Sequence, residues 1–327
     1  MIRILRMLFV FLGFILRPII NKINFPIIIA VNAGTNKDLS YFNNNIAIRL
    51  KNRRFYLIGL YRITRWRYGL VVGTSHTNSE ILESKEITSG LINDLDHNFK
   101  ARKIALTGIL TSAAIKHDVF PFDDKKFVLG TFGTQHLLKI NVKELLNNHP
   151  STTHKAIGIV GFGHTGKHVA EHLNNHFDNE IIAFDTLEKN HDVIKVFKEP
   201  DKISECGLVI FLTGAGNDAV DYSINMLNSD HVVLSDTHPK VDLAMWKKVH
   251  AKGSLFYECG SKIENGRFIP KLPRWGRTNL LGCVMQSIVE STTRTSARDI
   301  TEFEDLANKL KVTSNLEVPR INKRINK

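Results

Sequence analysis

Between residues 155 and 185 a short apolar run, a glycine turn, a periodic stretch and a second apolar run follow one another. Ala156–Val160 has no polar interruption, which over so short a span predicts a buried strand. Val169, Ala170 and Leu173 then recur on one helical face, and the next strand ends in Asp185. Apolar runs return at Leu208–Leu212, Val232–Leu234 and Ser254–Tyr257, with helical spacing between them. This alternation predicts an α/β fold with a doubly wound parallel sheet. Upstream, Phe55–Tyr61 and Leu70–Val72 read as strands, Ile81–Phe99 as a helix, and Ile104–Leu110 as a strand running into a turn. His136–Leu146 has helical spacing, and Asn147–Thr153 is a polar linker. A helix from Thr278 carries Cys283, Gln286, Ser287 and Glu290, and another runs from Thr301 to Leu310 behind a Thr301–Glu304 capping box.

These patterns divide the chain into five parts. Residues 1–45 form a hydrophobic and basic membrane-associating segment, and 46–147 a small α/β substrate domain. Residues 154–278 form a Rossmann-type dinucleotide-binding domain, 279–312 the C-terminal helices with the candidate cysteine, and 313–327 a basic tail. In the first part, the unbroken apolar run Met7–Leu16 is shorter than the about 20 residues that a spanning helix needs. On a helical wheel Arg3, Arg6, Gly13 and Arg17 share one sector, while Phe9, Leu12 and Leu16 point away. A basic face opposite an apolar one favours a helix lying in a membrane interface, with Pro18 and Pro26 bending or ending it. A secretory signal, a kinked anchor continuing through Ile19–Val31, and an extension docked on the chain's own body are the alternatives.

Composition narrows the class. The 327 residues are 43% hydrophobic and 23% charged, enough for two ordinary domains. Cys206, Cys259 and Cys283 are widely spaced and odd in number, so no disulfide framework or zinc site is expected, and the odd count fits a reducing compartment. A net charge of +12 suits anionic lipid or an acidic partner. No nucleic-acid-binding signature accompanies it.

Gly161, Gly163 and Gly166 give the turn its chemistry. In a GxGxxG turn the first glycine allows a tight bend, the second lets the backbone approach a pyrophosphate, and the third lets helix and strand pack closely. The helix then directs free N–H groups and its positive end at the phosphates. His164 and Thr165 belong to this cofactor-binding group, as does Thr213 after a later strand. Asp185 stands where a carboxylate accepts hydrogen bonds from the adenosine ribose and repels a 2′-phosphate. The cofactor expected is therefore NAD, with NADP as the alternative.

Six further segments in order carry a resemblance. LTGILTSAAIKHD (106–118), LGTFGTQHLLKINV (129–142) and LSDTHPKVD (234–242) come first. FYECGSKIENG (256–266), LLGCVMQSIVES (280–291) and ARDITEFEDLANKL (297–310) follow. Together they resemble long-chain acyl-[acyl-carrier-protein] reductases. The resemblance implies a two-domain, shikimate-dehydrogenase-like fold and reduction of a fatty acyl thioester to an aldehyde. In that scheme Cys283 takes the place of the acylated cysteine, and a thioester of acyl carrier protein or coenzyme A is the partner. The chain departs from the pattern at Phe162 and His164 in the turn, at Gln286 in place of a glutamate, and at Thr237-His238 in place of two glycines.

Read for chemistry alone, Cys283 sits close behind a helix start capped by Thr278 or Asn279, where the dipole and Arg274 and Arg277 favour a thiolate. The alternative is a small buried cysteine. His238 after Asp236 is a candidate proton donor, and Ser112, Thr134 and His117 are candidate substrate-cleft residues. Three functions follow. The first, implied by the resemblance, is a membrane-attached, cytoplasmic-face reductase of fatty acyl thioesters. The second is an NAD-dependent dehydrogenase of a small hydroxy or amino acid, with His238 as acid/base. The third is a non-catalytic nucleotide-binding adaptor or sensor.

Overall fold

The computed structural model describes residues 2–33, 55–119, 125–187, 190–272 and 277–319. Two compact units emerge: Met1–Gly133 with Ser261–Thr313, and Thr134–Gly260 with Ser314–Lys327.

In chain order the first unit starts with α1 (Ile2–Ile20), β1 (Phe25–Ala33), β2 (Tyr56–Arg62) and β3 (Tyr68–Thr77). It continues with α2 (Asn78–Glu83), α3 (Lys85–Asn98), β4 (Ala101–Leu106), α4 (Ile109–Lys116) and β5 (Phe127–Val128). The helix α5 (Thr131–Asn148) carries the chain into the second unit. There follow β6 (Ala156–Val160), α6 (His164–Asn174), β7 (Ile181–Phe184), β8 (Lys195–Phe197) and β9 (Cys206–Phe211). Next come α7 (Gly216–Ser223), β10 (Val232–Ser235), α8 (Leu243–Ala251) and β11 (Leu255–Glu258). Back in the first unit lie β12 (Ser261–Lys262), β13 (Arg267–Ile269), α9 (Gly282–Thr293) and α10 (Ile300–Lys309).

The first unit is built on a mixed sheet in the order β13-β2-β3-β1-β4-β5. Its central strand is β1, which pairs in parallel with β3 and β4 so that Ile28 faces both Leu70 and Ile104. Ile27 to Ala30 are fully buried. The Phe25–Ala33 part of the apolar N-terminal stretch is thus a core strand, while Met7–Leu16 lies in α1. A strand buried on both faces is as continuously apolar as an interfacial segment, so the pattern alone does not separate them. Pro18 lies within α1 instead of ending it. Among the described residues no helix is long and apolar enough to cross a membrane.

Elsewhere in this unit the expected helix Ile81–Phe99 is broken in two at Ser84. That hydroxyl caps α3 by accepting from the Ile87 amide, and Thr77 and Glu80 form a capping box on α2. The strand expected at Leu70–Val72 extends from Tyr68 to Thr77. For α10 the cap is Asp299, which accepts from the Glu302 amide, and not Thr301.

The second unit holds a six-stranded sheet in the order β11-β10-β9-β6-β7-β8, every pair parallel. Counted from its first strand this is 3-2-1-4-5-6, with the order reversing between β6 and β9. It is a Rossmann fold. Every residue of β7, β9 and β10 is buried, as helices on both faces of a parallel sheet require.

Candidate nucleotide-binding site

The turn between β6 and α6 lies at the switch point of the second unit's sheet, where open α/β sheets bind ligands. Its glycines do three separate jobs. Gly161 has φ +104, and a Cβ there would stand 2.9 Å from the Leu212 carbonyl carbon. Neither the conformation nor the space admits a side chain. Gly166 packs its backbone onto the turn: a Cβ would lie 2.0 Å from the Gly161 carbonyl oxygen. At Gly163, by contrast, a Cβ would meet nothing within 4 Å. Gly163 is the N-cap of α6, and no side chain caps the helix there. The first-turn amides thus open onto free space at the positive end of a helix, the arrangement that binds phosphate.

His164 and Thr165, the first residues of α6, are exposed beside this opening. The His164 imidazole is held below its ordinary pKa, first by partial burial and then by His168, whose ring lies 4.7 Å away. Asp185 stands at the end of β7. One carboxylate oxygen accepts from the Phe162 amide at 2.8 Å and the other from the Leu187 amide at 3.0 Å. The acid expected to meet the ribose therefore also clamps the turn. Thr213, after β9, donates its hydroxyl to the Ala215 carbonyl at 2.6 Å. Glu188 and Lys189, the next residues past this clamp, lie outside the described residues.

The same carboxyl edge carries a polar cluster on β10 and β11. The His238 ring reaches Asp236, with Nε2 to Oδ1 3.7 Å, and that buried nitrogen has no hydrogen-bond partner among the described residues. Ser235 and Thr237 hydroxyls meet at 3.0 Å. Lys240 pairs at 3.3 Å with Glu258, a buried carboxylate. Burial drives the Glu258 pKa up, and Lys240 and then His238 only partly offset it. Sequence reasoning missed this pair: Lys240 and Glu258 both stand in motifs quoted above, but only the sheet brings them together.

The remaining candidates fall differently. Cys283 is the second residue of α9, whose N-cap is Leu281 rather than Thr278 or Asn279. It is half-buried, and a Cβ at Gly130 would lie 2.5 Å from its own Cβ, so its backbone is packed directly on the Gly130 loop. Further along α9, Gln286 accepts from the Gly133 amide at 3.0 Å and donates to Glu290 at 2.9 Å, and Glu290 pairs with Lys103 at 2.6 Å. Gln286 thus belongs to a buried polar chain. Cys283 belongs to the first unit and the glycine turn to the second. Arg274 lies outside the described residues. Ser112 is exposed on α4, Thr134 is half-buried on α5, and the two fall in different units. His117 places Nε2 3.0 Å from the Leu82 carbonyl, a contact between local helices. Cys206 and Cys259 are buried thiols, the first pushed up to about 12 by burial and the second raised well above its ordinary value for the same reason.

No protein-family model matches the chain, and no curated protein does. Solved structures do. Shikimate 5-dehydrogenase from Thermus thermophilus, in complex with NADP(H) and shikimate, is 13% identical with a TM-score of 0.42, covering 87% of this chain and 99% of that one. Quinate dehydrogenase from Corynebacterium glutamicum, in complex with NAD, is 11% identical with a TM-score of 0.42, covering 88% and 100%. L-tryptophan dehydrogenase from Nostoc punctiforme is 11% identical with a TM-score of 0.40, covering 88% and 81%. These matches correct the resemblance to long-chain acyl-[acyl-carrier-protein] reductases. The acyl-cysteine role of Cys283 and the acyl-thioester partner rested on that resemblance and are not carried further.

Proposed function

We propose that the chain is a nicotinamide-dependent dehydrogenase of a small hydroxy or amino acid. The observation that carries the reading is the glycine turn: backbone closed at Gly161 and Gly166, and open at Gly163 in front of an uncapped helix. A bound nicotinamide supplies the hydride acceptor. The chain's own part is to hold the pyrophosphate on the α6 amides and to carry a proton. His238 is the candidate for that proton, since its unpartnered Nε2 lies at the carboxyl edge beside Asp236. The Asp185 carboxylate favours NAD, because the two amides it accepts from fix its charge at the turn. Incubating the protein with NAD and a panel of small 2-hydroxy acids and amino acids, and following NADH formation, tests the reading. Oxidation of one class, lost in His238→Gln with NADH binding retained, supports it. NADH binding with no substrate turned over would leave a non-catalytic nucleotide-binding protein.

A second element of the proposal is attachment of the first unit to an anionic membrane surface through α1. Gly13 sits against Leu57 and Arg17 pairs with Asp94 at 3.3 Å, which turns that sector inward. Leu8, Phe11, Leu12, Ile15, Leu16 and Ile19 face out, each 38% to 63% exposed. This stripe is at helical spacing, and the net charge of +12 complements anionic lipid. The basic residues Arg3 and Arg6 of the expected polar face have side chains outside the described residues. Flotation with anionic vesicles, lost in Phe11→Ser/Ile15→Ser, supports attachment; flotation absent from the wild type removes it.

A further inference from the structure

In the first unit, three arginines gather around the carboxyl end of α9. Arg67 precedes β3, Arg102 is the second residue of β4, and Arg294 is the left-handed C-cap of α9, with φ +61. Arg67 and Arg102 both donate to the Ser291 carbonyl, at 3.0 and 2.9 Å. Beside them is a cavity of about 220 Å³ whose walls include Arg102, Lys103, Lys125, Lys126 and Arg294, together with the Glu290 carboxylate.

The charges here do not balance. Lys103 is matched by Glu290 at 2.6 Å and Lys126 by Asp96 at 2.7 Å. The three guanidiniums have no carboxylate partner among the described residues, and two of them reach only Ser291. A helix carboxyl end supplies about half a negative charge, far short of three positive ones. Arg67 is accordingly held below its ordinary pKa by burial, then by repulsion from Arg102 and Arg294. Of the three, Arg102 and Arg294 line the cavity, and two guanidiniums there are suited to a doubly charged oxyanion, which takes forked hydrogen bonds.

We propose that this cavity binds a phosphate monoester dianion, a second phosphate site in addition to the glycine turn. The phosphate comes from a soluble ester or from a lipid headgroup.

Calorimetry on the full chain with inorganic pyrophosphate as probe tests this. The glycine turn also takes phosphate, so Gly163→Val serves as the background in which only the cavity remains. In that background pyrophosphate binds, and Arg102→Gln/Arg294→Gln weakens it about tenfold or more, the loss expected for charged hydrogen bonds. Both arginines are exposed, so thermal midpoints stay unchanged and report a folded protein. No pyrophosphate binding in Gly163→Val, or equal affinity with and without the two arginines, overturns the proposal. Co-sedimentation with vesicles of equal parts phosphatidylcholine and phosphatidic acid identifies the source. Sedimentation that falls in Arg102→Gln/Arg294→Gln identifies the headgroup, and sedimentation that does not change identifies the soluble ester.

Discussion

The backbone at Gly166 lies so close to the Gly161 carbonyl oxygen that a Cβ would stand 2.0 Å from it. That approach locks the start of α6 onto the end of β6 and aims the helix at the opening beside Gly163. Gly166→Ala should therefore cost about 3 kcal/mol or more, the upper range for overpacking against backbone. Denaturant midpoints check this, and a loss below about 1 kcal/mol, the lower end of that range, would show that the turn relaxes easily.

Among the described residues, Lys240 and Glu258 form the most buried lysine–carboxylate pair of the second unit. Lys240→Met should destabilise by about 3–5 kcal/mol at pH 7.5, because it leaves a carboxylate buried alone. The folded-state pKa of Glu258 already lies above its ordinary value of 4.5. The folded state thus holds this proton more tightly, and stability is lost as pH rises from 4.5 through the folded value. Removing Lys240 raises that value further, so the deficit should shrink on acidification. Urea denaturation at pH 5 and pH 7.5 compares the two, and an equal deficit at both would assign the loss to packing.

In the first unit, Lys103 and Glu290 are only 7% and 4% exposed, and Glu290 is also bound by Gln286. Glu290→Gln should cost about 3–5 kcal/mol, and Lys103→Met/Glu290→Gln should recover part of it by removing the stranded cation. Chemical denaturation of the two singles and the double gives the coupling. Additive losses would mean the pair is not a unit.

His164 makes a pH prediction whose sign is fixed. Its folded-state pKa lies below the ordinary 6.5, so the unfolded chain binds the proton first as pH falls. Stability should rise with pH from the folded value up to about 6.5. Phosphate at the α6 amides favours the protonated ring, so NADH affinity should strengthen as pH falls through the same window. Thermal midpoints and NADH titrations across pH 5–8 check both. His164→Gln should flatten each, and unchanged slopes would remove His164 from the site.

The sequence was most legible where local chemistry and global fold coincide. Ala156–Val160, the three glycines and Asp185 lie in one short stretch, and at Gly161 and Gly166 the conformation or the space admits only glycine. At the N-terminus, Ile27–Ala30 are apolar for the sake of a sheet whose other strands come much later, which no local pattern encodes. Likewise, Gln286 reads as a departure from a family glutamate until Gly133 and Glu290 are found on either side of it. Lys240–Glu258 and the arginines at Ser291 are pairings across sequence distance that no local pattern encodes.

NADH titration of the full chain, followed by nicotinamide fluorescence and compared with Gly163→Val, tests the central claim most directly. A Cβ at Gly163 would meet no protein atom within 4 Å and the backbone there is extended, so the variant should keep its thermal midpoint. The wild type should bind NADH saturably, and Gly163→Val at least about tenfold more weakly, since the added side chain fills the phosphate approach. Equal affinity in the two proteins, or no binding by the wild type, would contradict the account.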